Sequence, residues 1–121
     1  MLLHFYKYQG TGNDFVIIDN RDGSIELSSQ QVALLCDRHF GIGADGLMLL
    51  NKHDSNDFEM IYYNANGQLG SMCGNGGRCV TAFAHFLGIV KNNEAYFLAV
   101  DGPHDAKVIA SDYVELKMID T

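Results

Sequence analysis

Hydrophobic and polar positions alternate in short runs along most of the chain, a pattern that predicts strands. Two such runs, at residues 2–8 and 15–19, flank a glycine-rich polar loop at 10–14 and predict a pair of joined strands. Similar runs predict strands at 47–50, 58–63, 95–100, 106–110 and 113–118. Tight turns are predicted at Asn66-Gly67, Asp101-Gly102 and Ser111-Asp112.

Two stretches carry helical patterns instead. Ser28 and Gln31 form a capping-box pattern, apolar residues follow at helical spacing, and Gly41 is a natural stop, so an amphipathic helix is predicted over 29–40. The stretch 78–87 has almost no polar face, which predicts a helix that is buried on most sides, with a sheet wrapped around it.

The order of these elements is strands, helix, strands, helix, strands. No regular βαβ alternation is visible, so the predicted fold is α+β with a mainly antiparallel sheet rolled around a buried central helix. With 121 residues, 47% of them hydrophobic, and a single proline, residues 1–121 are expected to form one domain with its own core.

Charge and composition limit the classes of molecule that the protein is expected to bind. The formal net charge of -7 and the lack of any Lys/Arg cluster disfavour nucleic acid and anionic membranes, which leaves small polar ligands. The N-terminal residues do not resemble a signal peptide, and the longest apolar stretch is too short to cross a bilayer, so a cytoplasmic protein is expected. The three cysteines and five histidines lack metal-ligand spacing, so we expect reduced thiols and no metal site.

Gly41, Gly43 and Gly46 match the glycine spacing of a dinucleotide-binding loop. That motif requires a strand before it and a helix after it, whereas here a predicted helix precedes and a predicted strand follows. The three glycines are therefore interpreted as a helix-to-strand turn.

The segment 72–79, Met-Cys-Gly-Asn-Gly-Gly-Arg-Cys, is the strongest candidate for chemistry. Cys73 lies in a glycine-rich loop before a helix predicted to begin near Gly77, and backbone N–H groups at a helix start stabilise a thiolate and an incoming carboxylate. The alternatives are a buried, inert cysteine beside an ordinary turn, or a cysteine paired in space with a histidine in a hydrolase.

Three stretches together resemble one family. They are Gly-Thr-Gly-Asn-Asp-Phe at 10–15, Arg-His-Phe-Gly-Ile-Gly-Ala-Asp at 38–45, and Asn-Ala-Asn-Gly at 64–67 with the segment 72–79. All three are similar to motifs of the diaminopimelate epimerases, and the resemblance spans essentially the whole chain. Asn75 is the residue that these epimerases carry, where the related proline racemases typically have histidine.

The resemblance implies a fold of two pseudo-symmetric halves, each a sheet rolled around a central helix, with the active site in the cleft between them. This chain resembles the N-terminal half. The family interconverts LL- and meso-diaminopimelate in lysine biosynthesis, needs no cofactor, and uses two cysteines on opposite faces of the substrate α-carbon. Cys73 matches the first cysteine, and the second belongs to a C-terminal half outside this sequence.

A single base that returns its own proton gives no net inversion, so the half is expected to be inactive alone. Its exposed cleft wall would favour self-association into a homo-oligomer. If Cys79 lies on the helix six residues beyond Cys73, a rotation of about 600 degrees leaves the two thiols on different sides, so Cys79 is expected to point into the core. Cys36 is expected to pack on the apolar stripe of the first helix.

By the same resemblance, Asn13 and Asn64 match substrate-binding asparagines, and the backbone amides of Gly74 and Asn75 would bind the carboxylate of the reacting centre. Ordinary turn asparagines are the alternative for the first two. The chain departs from the family at Gly46, where many members have glutamine. Two alternative hypotheses for the function are a related cofactor-independent racemase or isomerase of the same fold, and a non-catalytic binding or assembly module.

Overall fold

The structure is a computed structural model that describes residues 4–10, 12–70, 74–110 and 113–116. Its elements in chain order are β1 (Tyr6–Gly10), β2 (Asn13–Asn20), α1 (Ser29–Cys36), β3 (Gly46–Asn51), β4 (Phe58–Asn64), α2 (Gly74–Phe86), β5 (Glu94–Ala99), β6 (Gly102–Ala110) and β7 (Tyr113–Leu116). Within these ranges the strands form one seven-stranded sheet, in which the spatial order follows the chain order.

The sheet is mixed but mainly antiparallel. Four of its six neighbouring pairs are antiparallel, while β2 with β3 and β4 with β5 are parallel. The α+β class with a mainly antiparallel sheet is therefore confirmed, and the structure adds two parallel strand pairs that the sequence pattern did not indicate. Along the chain, each helix connects two parallel strands. Parallel neighbours require such a crossover, because the chain must return to the end of the sheet where the previous strand began.

Each face of the sheet packs against one helix. In β2, Phe15 and Ile17 belong to the cluster that contains the buried residues of α2, whereas Val16 and Ile18 belong to the cluster that contains those of α1. Successive side chains of a strand point to opposite faces, so a strand covered on both faces is a continuous apolar run. β2 is such a strand, and this explains why its sequence does not alternate.

Helix α2 lies on the inner side of the curled sheet. It contacts β1, β2, β3, β6 and β7, and its buried residues include Val80, Phe83 and Ala84. The prediction of a sheet rolled around a largely buried helix is confirmed. None of the helices in the described ranges is long and apolar enough to cross a bilayer.

Helix α1 begins as predicted and ends earlier. The capping box is present, with Ser28 Oγ accepting from the Gln31 N–H at 3.1 Å and Gln31 Oε1 accepting from the Ser28 N–H at 2.8 Å. The helix stops at Cys36 rather than at residue 40, because the Asp37 carboxylate accepts hydrogen bonds from the backbone N–H groups of His39 and Phe40. Such side-chain bonds compete with helix continuation.

The turn predicted at Asn66-Gly67 is confirmed, whereas the one predicted at Asp101-Gly102 lies one residue earlier, because Gly102 is already paired with Ala99 as the first residue of β6. At Asn66-Gly67 the Gly67 N–H donates to the Asn64 carbonyl at 2.9 Å, and Gly67 has a φ of +90°. The loop predicted over 10–14 is shorter, because Gly10, Asn13 and Asp14 are already paired within β1 and β2. The turn predicted at Ser111-Asp112 lies outside the described residues, as do the ends of the predicted strands at 2–3 and 117–118.

Candidate active site

The two candidate asparagines lie at the same end of the sheet. Asn13 begins β2 and Asn64 ends β4, and the register joins these strands through Gly46, which is opposite Phe15 on one side and Asn64 on the other. Side chains an even number of residues apart in a strand point to the same face of the sheet. Asn13 therefore shares the face of Phe15, and Asn64 shares the face of Met60, which is the face that α2 covers. The strand register thus brings together residues 51 positions apart in the sequence.

Helix α2 begins at this same end. Its first residue is Gly74, three positions before the start near Gly77 that its glycines predict. Gly76 and Gly77 are buried in the first turn, and close packing overrides the low helix propensity of glycine. The backbone N–H groups at such a start have no partner within the helix and can bind an anion. Cys73 lies outside the described residues and directly precedes this helix in the sequence.

A hydrogen bond links the helix start to β2. Asn75 Nδ2 donates to Asn13 Oδ1 at 2.8 Å. The approach depends on a glycine in β1, because a Cβ added at Gly10 would lie 3.0 Å from Asn75 Cβ. The structure therefore places three of the four described candidates, Asn13, Gly74 and Asn75, in one contiguous group.

Asn64 lies beside an aromatic ring at the same sheet end. A Cβ added at Gly70 would be 2.8 Å from Asn64 Nδ2 and 2.9 Å from the ring of Tyr62. A Cβ added at Gly46 would be 2.8 Å from Tyr62 Oη. The ring of Tyr62 thus lies between two glycines, and it occupies the space into which a longer side chain at position 46 would extend.

An ionic cluster on the other face of the sheet was not predicted from the sequence. Asp14 accepts two hydrogen bonds from Arg38, at 2.9 and 3.1 Å, and one from Lys7 at 2.9 Å. Arg38 also donates to Asp45 at 3.1 Å. The Arg38 guanidinium first, and then Lys7, hold the pKa of Asp14 far below its usual range. The sequence did offer a hint of this cluster, because Asp14 lies within the motif at 10–15, and Arg38 and Asp45 lie within the motif at 38–45.

This ionic cluster contacts the candidate site directly. Asn13 Nδ2 donates to Asp45 Oδ2 at 3.3 Å, and the backbone N–H of Asp14 donates to the same oxygen at 3.1 Å. On the opposite side, Arg78 Nη1 donates to Asn75 Oδ1 at 3.2 Å. The Arg78 guanidinium also lies over the first helical residue, 3.6 Å from where a Cβ at Gly74 would be.

The two described cysteines belong to the core, as predicted. Cys36 is 3% exposed in the cluster around α1, and Cys79 is 4% exposed in the cluster around α2. Burial raises the pKa of the Cys36 thiol. Across the described part of the chain, no three His, Cys, Asp or Glu side chains are grouped as metal ligands.

The glycines at 41, 43 and 46 link α1 to β3, which confirms the helix-to-strand turn. An open cavity of about 810 Å³ lies elsewhere, beside Asn20 and Asn51 at the far ends of β2 and β3. It contains none of the candidate residues.

Comparisons with known proteins show which family the chain belongs to. The family model "Diaminopimelate epimerase" matches residues 5–118. The diaminopimelate epimerase of Flavobacterium psychrophilum is 51% identical over 96% of this chain and 45% of that protein. The diaminopimelate epimerase of Chlorobaculum tepidum is 48% identical over 91% of this chain and 43% of that protein.

Solved structures share the fold at low sequence identity. The Bacillus anthracis phenazine biosynthesis protein of the PhzF family superimposes with a TM-score of 0.60 at 14% identity, covering 87% of this chain and 34% of that one. The chain spans less than half the length of the two curated relatives above. The family model covers nearly all of the chain, and this chain belongs to the diaminopimelate epimerase family.

Proposed function

We propose that this chain supplies one half of the active site of a diaminopimelate epimerase, which interconverts LL- and meso-diaminopimelate in lysine biosynthesis. The observation that carries the proposal is the start of α2. Its first turn directly follows Cys73, and Asn75 in that turn is held against Asn13 of β2 at 2.8 Å. The helix N-terminus and the Asn13–Asn75 amide pair thereby lie at one end of the sheet, and Cys73 is the residue before this helix in the sequence.

In the proposed mechanism Cys73 acts as a thiolate base that takes the α-proton of the amino acid. A position next to a helix N-terminus lowers the pKa of a cysteine, which raises the thiolate fraction near neutral pH. Removal of the α-proton shifts negative charge onto the neighbouring carboxylate. The N–H groups of Gly74 and Asn75 stabilise this charge where it develops, which lowers the barrier more than it strengthens ground-state binding.

Inversion requires a second acid on the opposite face of the α-carbon. Cys36 and Cys79 are buried in the two core clusters and do not serve this role. The second thiol is therefore proposed to come from the other half of a two-domain enzyme. Residues 1–121 tested alone are expected to give no LL-to-meso conversion.

Substrate recognition is assigned to Asn13 and Asn64. Both lie on the α2 face at the sheet end where the helix begins, so their amides can bind polar groups of one small molecule near Cys73. The proposed ligand is the amino acid alone, and the reaction needs no cofactor. A cytoplasmic location and self-association through the cleft face stay predictions.

The test is the pH dependence of iodoacetamide alkylation of the native protein, mapped to each cysteine by mass spectrometry. Cys73 is expected to react with an apparent pKa clearly below about 8.5, while Cys36 and Cys79 stay protected. In the full-length enzyme, Cys73→Ala is expected to abolish conversion of LL-diaminopimelate. Full activity of this variant would disprove the assignment, and a Cys73 as inert as the core cysteines would favour a binding or assembly module.

A further inference from the structure

Four side chains form a continuous line of hydrogen bonds across the candidate site. Arg78 donates to Asn75 at 3.2 Å, Asn75 donates to Asn13 at 2.8 Å, and Asn13 donates to Asp45 at 3.3 Å. The line begins on α2, crosses to β2 and ends before β3. It joins the two amides of the proposed site to one cation and one anion.

The charges at the ends determine which way both amides face. A guanidinium only donates hydrogen bonds and a carboxylate only accepts them, whereas an amide does either, depending on which end is presented. Asp45 therefore requires the nitrogen of Asn13, which turns the Asn13 oxygen toward Asn75. Arg78 requires the oxygen of Asn75, which turns the Asn75 nitrogen toward Asn13. The two requirements agree, so a single orientation satisfies all three bonds.

We propose that Asp45 and Arg78 are positioning residues that fix the amide orientations of Asn13 and Asn75 for the substrate. This inference rests on the proposed function of the site. The line uses one N–H group and one oxygen lone pair of the Asn13 amide. The second N–H group and the second lone pair of this amide then point in fixed directions. A substrate thus meets donors and acceptors that are already arranged, with no rotation of the amide on binding.

Asp45 is itself held in place, which a positioning role requires. One of its carboxylate oxygens accepts from Arg38 and the other from the backbone N–H of Asp14. Its own backbone N–H donates to the Asp14 carbonyl at 3.0 Å. The ionic cluster on the α1 face therefore acts as the anchor for an amide on the α2 face.

The test compares variants of the full-length epimerase. Arg78→Lys keeps a donor-only charge and is expected to retain most of the activity. Arg78→Gln and Asp45→Asn allow either amide orientation, and each is expected to lower kcat/KM by about tenfold, mainly through a higher KM. Arg78→Glu places hydrogen-bond acceptors at both ends of the line, so no amide orientation satisfies all three bonds, and this variant is expected to lower kcat/KM further.

Arg21→Gln is the matched control. Arg21 pairs with Asp19 near the other end of β2, so this variant removes the same charge and one ion pair away from the site. It is expected to keep the KM of the parent protein. Side-chain amide NMR signals of Asn13 and Asn75 are expected to shift in Arg78→Gln and Asp45→Asn, and to stay in place in Arg21→Gln.

The outcomes separate this inference from the proposed function. If Cys73→Ala is inactive while Arg78→Gln and Asp45→Asn match Arg21→Gln in KM, the positioning roles are wrong and the catalytic assignment stands. If Arg78→Lys loses as much activity as Arg78→Gln, donor polarity is not the cause and the inference fails. If Cys73→Ala keeps full activity, the proposed function itself is wrong.

Discussion

Gly67 offers the sharpest test of how the turn after β4 is held. It has a φ of +90°, and a Cβ added there would lie 2.0 Å from the carbonyl oxygen of Ser29, at the start of α1. The neighbouring atom is backbone in a capped helix, so it cannot rotate away. Gly67→Ala therefore combines a strained backbone conformation with a steric overlap.

The two costs can be separated with a second glycine. Gly23 has a φ of +71° and nothing within 4 Å of an added Cβ, so Gly23→Ala carries the backbone cost alone. That cost is about 1–2 kcal/mol. Overlap in a packed region adds about 1–3 kcal/mol. Gly67→Ala is thus expected to lower the free energy of unfolding by about 2–5 kcal/mol, a large share of the roughly 5–15 kcal/mol typical of a domain.

The assay is urea unfolding followed by far-UV circular dichroism, with the parent protein, Gly67→Ala and Gly23→Ala measured together. The difference between the two variants reports the overlap with Ser29. Equal destabilisation, within about 0.5 kcal/mol, would refute the close approach of the turn to α1. Since Asn64 begins this turn, the same variant is expected to displace a proposed substrate contact.

Two further predictions concern titration and burial. Asp14 has a folded-state pKa below its unfolded value, so its stabilising effect is present above the unfolded pKa and is lost as the pH falls through the folded one. Arg38→Met is expected to raise the pKa of Asp14 in a carboxyl NMR titration and to move acid unfolding to higher pH; an unchanged titration would contradict the ion pairing. Iodoacetamide at pH 8 is expected to leave the buried thiols of Cys36 and Cys79 unlabelled in the native protein and to label both in urea. Rapid labelling of the native protein would show instead that these thiols are accessible.

Local features were predictable because their causes are local. The capping box needs only residues 28 and 31, and the turn at Asn66-Gly67 needs only a glycine able to adopt a positive φ. The family motifs also indicated Asn13, Gly74 and Asn75, which the structure brings into contact.

The errors arose where neighbours in space compete with local preference. Helix α1 ends at Cys36 because the Asp37 side chain accepts hydrogen bonds from the backbone N–H groups of His39 and Phe40. Helix α2 begins at Gly74, and Gly76 and Gly77 are buried within its first turn, although glycine alone disfavours a helix.

The sequence by itself determined the kinds of element, the tight turn at Asn66-Gly67, the family and the segment that holds the candidate thiol. Only the tertiary structure decided that β2 and β3 run parallel, and this register places Asp45 beside Asp14 and Asn13. The ionic cluster joins charges 7 to 31 residues apart in the sequence. Periodicity tells which face of a strand is buried, but strand pairing is set by the packing of both helices against the sheet, and that pairing decides which charged groups meet.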